Sequence, residues 1–272
     1  MIKTVRFHRV YLLALFGAAL LSGVLGAFAL RYNYDFRLGV YETGVFSVAA
    51  PIVAAMGALA AILYPLIRFR GQNPDAAYHI SPLNDFAALF AFSAIALSLV
   101  YSLIVYGYQG TVIYRIKLIL TLPAALFFLT LFLLRRMESK VVTLLCGLCI
   151  VWMTFSGFYA YFDPRFTMVS PHYTIPQLAV TSTLLLLVFE SRVALERGGF
   201  RSLLFSASLC GVLSVSIGVS YLLAYLLNFN RDGLTPVDAL VFLSMGLYGF
   251  ARALCLSPVP KKNPTTEESS LS

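Results

Sequence analysis

Leu118–Phe155 reads LILTLPAALFFLTLFLLRRMESKVVTLLCGLCIVWMTF, two long apolar runs around the polar stretch Arg135-Arg136-Met137-Glu138-Ser139-Lys140. Leu118–Leu134 holds no charged residue, and neither does Val141–Phe162. At about 1.5 Å of rise per residue, each run crosses most of a hydrocarbon core about 30 Å thick. The pair reads as a membrane hairpin. Three cations against one acid place its turn on the cytoplasmic side, and the side of every other loop follows by alternation.

Composition points the same way. Of 272 residues, 60% are hydrophobic and 12% charged, against about 45–50% and 25% in soluble domains. A soluble fold could not bury that much apolar surface. The excess falls in runs of membrane-crossing length, so the sequence predicts one all-α, polytopic helical bundle with no soluble domain. The expected spans are 10–30, 45–67, 86–106, 118–134, 141–162, 174–190, 202–227 and 236–256. A polar tail, 257–272, follows and is expected to be disordered.

The net charge of +8 follows from topology. Only Arg31, Arg37, Arg115, Lys117, Arg165 and Arg231 of the 20 Lys and Arg fall in outer segments; the rest are inner, so both termini are expected in the cytoplasm. The basic charge thus gives no independent reason to invoke nucleic acid. A competing reading takes Ala27-Phe28-Ala29 as a signal-peptidase site, which would leave seven spans. The apolar run before it, about 20 residues, exceeds the usual 7–15 of a secretory segment.

Local signals mark the ends of the spans. Asn73-Pro74-Asp75 has the order of a cap and first helical turn, predicting a short surface helix. Ser81-Pro82, Thr174-Ile175-Pro176-Gln177 and Thr235-Pro236-Val237-Asp238 cap the third, sixth and eighth spans. Asp35-Phe36-Arg37 and Asp163-Pro164-Arg165 share an Asp-x-Arg pattern four spans apart, which allows a parallel four-plus-four duplication. Small residues crowd the second span, where they let a neighbouring helix approach closely.

Chemistry-bearing residues are few. The central thirds of the spans hold no Asp, Glu, Lys, Arg or His, which argues against proton relays and acid–base catalysis there. Glu190 and Arg252 are the nearest exceptions, and snorkelling or pairing accounts for them. Cys146-Gly147-Leu148-Cys149 has redox or metal spacing, but without further ligands in an apolar helix it reads as packing. The serines of span seven fit ordinary helix packing, with a polar conduit as the alternative. No catalytic residue, cofactor site or metal site is expected.

The richest mixed chemistry lies at the outer ends. An aromatic belt with anchoring cations explains most of it. The sharper expectation is a ligand site formed by Arg37 and Arg165, planar donors for carboxylate or phosphate, with Tyr34 and Tyr161 as aromatic walls. The leading functional expectation is a permease-like or channel-like protein, or a membrane subunit of one, for a small solute in a cell membrane. The alternative is a non-transporting membrane partner or assembly factor, acting with another membrane protein or as a homo-oligomer. No enzyme is expected.

Overall fold

The computed structural model describes residues 2–35, 40–70, 75–78, 81–105, 112–134, 140–161, 171–195, 199–228 and 234–259. Eight helices carry nearly all of them: α1 (Ile2–Tyr32), α2 (Val45–Arg68), α3 (Pro82–Val105), α4 (Val112–Leu134), α5 (Lys140–Tyr161), α6 (Pro171–Ala194), α7 (Phe200–Leu226) and α8 (Pro236–Cys255). Each contains a stretch long and apolar enough to cross a membrane. The chain is an all-α, multi-pass membrane protein.

Helix ends differ from the apolar runs where a charge sits inside a helix. α4 begins at Val112 rather than Leu118, enclosing Arg115 and Lys117, and α6 continues through Glu190 and Arg192 to Ala194. α6 also begins at Pro171, so Thr174 lies inside the helix instead of capping it. The α8 cap forms as expected: Thr235 Oγ1 accepts the Asp238 N–H at 3.1 Å and donates to Asp238 Oδ2 at 2.6 Å, with Pro236 in the first turn. At α3, Ser81 Oγ accepts the Leu83 N–H at 3.3 Å.

The expected surface helix at Asn73-Pro74-Asp75 is corrected. Asp75–Tyr78 is a strand, β3, paired antiparallel with β4 (Leu256–Val259) in the register Asp75↔Val259 to Tyr78↔Leu256. The residues after α8 thus start as a strand; those beyond Val259 lie outside the described residues. A second short pair, β1 (Tyr34–Asp35) and β2 (Val40–Tyr41), joins α1 to α2. The β3–β4 pair fixes the end of the bundle where α1 starts and α8 finishes, here called the terminal end; β1–β2 marks the far end.

α3, α4, α5, α6, α7 and α8 pack each on the next, and α8 closes back on α3. This is a six-helix ring. α1 and α2 pack on one another and both dock on the outer side of α7. A parallel four-plus-four arrangement would require α2 on α3 as α6 is on α7, and α2 and α3 are not packing partners. The packing does not carry the duplication suggested by Asp-x-Arg.

Small residues set the closest approaches. A Cβ on Gly218 would lie 2.6 Å from the backbone N of Leu243, and one on Gly246 2.6 Å from that of Val215. α7 and α8 therefore meet backbone to backbone, which only glycine allows at these positions. The serines of α7 serve packing: Ser216 Oγ donates to Ala19 O at 3.1 Å and Ser220 Oγ to Gly23 O at 3.0 Å, holding α1 against α7. At the terminal end α1 also reaches α8, where His8 Nε2 lies 3.2 Å from Ala253 O, and α2, where the Tyr11 and Tyr64 rings stack at 3.9 Å. Apolar side chains of α2 such as Val48, Ile52, Met56 and Leu59 face outward, where lipid solvates them.

Candidate functional site

α8 crosses the ring with a charge near each end. Near its terminal end stands Arg252, only 3% exposed, and facing it from α6 is Glu190, fully buried. Arg252 Nε donates to Glu190 Oε1 at 2.7 Å and lies equally close, 2.7 Å, to the hydroxyl oxygen of Tyr248, one turn earlier on α8. That hydroxyl donates to the Glu190 carboxylate, 3.0 Å from each oxygen. The guanidinium carbon lies 5.0 Å from the Tyr248 ring centroid. Three groups thus share one proton-rich contact with almost no exposure to solvent.

The surroundings make this arrangement expensive to break. Phe128 of α4 meets the Tyr248 ring edge-on at 5.0 Å, and Tyr248 is itself fully buried. Cys146 Sγ donates to Leu187 O at 3.6 Å beside Glu190, and Cys149 and Cys210 lie within electrostatic range of the carboxylate. All four cysteines are free and buried, and among the described residues no cluster of His, Cys, Asp and Glu could hold a metal ion. In so apolar a setting the charges persist because they satisfy one another.

At the far end the partner helix is α4. Lys117 Nζ stands 4.0 Å from Asp238 Oδ1 at the start of α8 and 5.0 Å from the Tyr159 ring of α5. Both partners are part-exposed, so this contact is loose and wet compared with the buried one. Asp238 and Arg252 are fourteen residues apart, about 21 Å along the helix at 1.5 Å per residue. α8 therefore carries a cross-ring ionic closure at each end, with Tyr248 and the apolar ring interior between them.

The expected outer site is placed only in part. Tyr34 lies in β1 with its ring 5.4 Å from that of Tyr41 and edge-on to it. Burial and the neighbouring Tyr34 hold the Tyr41 phenol above its ordinary range, so it stays a neutral hydroxyl at physiological pH. Tyr161 is the last residue of α5 and 46% exposed. α1 and α5 are not packing partners, so the two tyrosines stand on separate parts of the bundle. Arg37 and Arg165 lie outside the described residues.

Glu190 and Arg252 were legible as isolated charges and their pairing was among the expected readings; Tyr248 was not singled out. Its signal was spacing: four residues before Arg252, it shares that residue's helix face. Asp238 read only as a capping acid because its cross-ring partner, Lys117, sits 121 residues earlier in the chain. Compared with known proteins, the chain matches no family model, no curated protein and no solved structure.

Proposed function

We propose that this is a permease for a small solute, with the ring α3–α8 as its conduit. The single observation behind the reading is the buried Glu190–Tyr248–Arg252 cluster joining α6 to α8 across the ring. A bundle needing only rigidity gains little from a buried ion pair, which well-packed apolar residues replace at no loss of stability. Charges inside a membrane bundle more often mark a solute or ion path. The looser Lys117–Asp238 contact supplies a second closure, and a carrier needs one on each side of its solute.

In this reading the protein lies in a cell membrane with the terminal end in the cytoplasm. The solute first meets the far end, where Arg37 and Arg165 with Tyr34 and Tyr161 form the outer vestibule. Nothing in the site calls for a catalytic step.

The test is osmotic swelling of proteoliposomes holding the purified full chain, with glycerol, glycine and lactate as solutes. At least one is expected to enter faster than into protein-free vesicles, and Glu190→Gln to change that rate. If none enters, and the protein leaves its native membrane bound stoichiometrically to another membrane protein, the partner or assembly-factor reading replaces this one. Replacing Arg37 and Arg165 together by Gln is expected to weaken solute capture; unchanged affinity in a correctly inserted double variant removes the vestibule from the account.

A further inference from the structure

Arg252 is the one buried cation among the described residues, and it cannot shed its proton. Its partner Glu190 can gain one. These two facts constrain what else the site could hold. A neutral solute has no reason to displace Glu190, and a cation would be repelled by Arg252. An anion can take Glu190's place on Arg252, but doing so leaves Glu190 a bare carboxylate in an apolar interior, a state far costlier than the protonated acid. Anion entry is therefore tied to uptake of one proton.

The geometry also limits the anion. The position beside Arg252 already accommodates a planar group whose two oxygens are shared between Arg252 Nε and the Tyr248 hydroxyl. A second carboxylate fits that pattern of donors. A doubly charged phosphate does not, because one proton on Glu190 offsets only one negative charge. The ring of Phe128 and the side chains of Leu187 and Met245, all buried, leave an apolar setting for whatever the carboxylate carries. We infer that the transported solute is a small monocarboxylate, bound by Arg252 and Tyr248 and carried together with a proton on Glu190.

The inference rests on the permease reading and deepens it. The other groups that could take the proton are few. Tyr248 and Arg252 face Glu190 from α8, Cys146 and Cys149 from α5, and Cys210 from α7. α3, which packs on α8, contributes the buried Asp85 in its first turn. Of these only the carboxylates exchange protons readily around neutral pH, so Asp85 is the control for Glu190.

Binding can be followed without transport. Trp152, the only tryptophan in the chain, is buried in α5 one turn from Cys149, with its Nε1 donating to Thr121 Oγ1 at 3.0 Å. Titration of the detergent-solubilised full chain with sodium lactate is expected to change its fluorescence saturably. Affinity should strengthen about tenfold for each unit that pH falls from 8 to 5, the slope of one proton per anion. Inorganic phosphate and glycerol should leave the signal unchanged.

Glu190→Gln leaves Arg252 without its counter-charge, so lactate is expected to bind at least tenfold tighter at pH 8 and with no pH slope. Asp85→Asn should keep the slope. Arg252→Gln should abolish binding, and the charge-neutral pair Glu190→Gln with Arg252→Gln, which avoids stranding either charge, should fold and likewise fail to bind. A wild-type protein that gives no saturable response to lactate overturns the inference, as does an unchanged pH slope in Glu190→Gln or its loss in Asp85→Asn. If vesicles admit glycine or glycerol while lactate neither binds nor enters, this inference falls and the permease reading stands. Lactate binding with the expected slope but no flux of any solute does the opposite: the proton-linked carboxylate site stands and transport falls.

Discussion

At the scale of single residues, the cost of burying Glu190 and Arg252 predicts an asymmetry. Removing one partner strands the other charge in an apolar interior, whereas removing both strands nothing. Arg252→Ala should lower stability by about 3–5 kcal/mol, and the double change to neutral residues by clearly less, as read from thermal unfolding in detergent. Equal losses from the single and double variants would mean that the pair contributes packing and not charge balance. Tyr248→Phe removes one donor from a buried carboxylate and should cost roughly 1–3 kcal/mol. The charges could be located in the sequence because each interrupts an apolar run. Their contact could not, since α6 and α8 are separated by a whole helix and only packing sets the distance between them.

The elements themselves were largely legible, because apolar runs of this length have few alternatives in any protein. What the runs concealed was where each helix stops. A reading that ends a span at its first charge truncates α4 before Lys117 and α6 at Glu190, although both charges are matched by residues of α8. β3 was missed for a related reason: its hydrogen-bonding partner lies about 180 residues later in the chain, and no local pattern announces it. The prediction at this scale concerns the α7–α8 contact. Gly218→Leu and Gly246→Leu each drive a side chain into a facing backbone, so folded yield after size-exclusion chromatography should collapse. Gly147→Ala, whose Cβ would meet nothing within 4 Å, should behave as wild type; similar yields for all three would refute backbone-to-backbone packing.

For the whole molecule, the proposed orientation is open to direct measurement. Reporter fusions ending at Lys140 and at Arg165 are expected to report opposite sides, the first cytoplasmic and the second external. The same side for both would break the alternation on which the proposal depends. The number of helices follows from span length and was readable; the closed ring, with α1 and α2 outside it, was not. Ring closure depends on which faces of α3 and α8 are small enough to meet. Ala87, Ala88, Ala91 and Ala94 supply that face on α3, but similar alanine-rich faces occur on α2, and sequence alone does not rank them.

The closing role of α8 has a consequence for biogenesis. α8 follows the other seven helices during synthesis, so Glu190 enters the membrane before Arg252 exists to meet it. Until then α3 also presents its alanine face to lipid, and the nascent bundle carries both marks of an unfinished protein. Chains stopped before Pro236 are therefore expected to be cleared by membrane quality control much faster than the full chain in a pulse-chase experiment. Glu190→Gln should lengthen the lifetime of the stopped chains while doing nothing of the kind for the finished one. If the stopped chains prove as long-lived as the full protein, the ring is stable without its last helix.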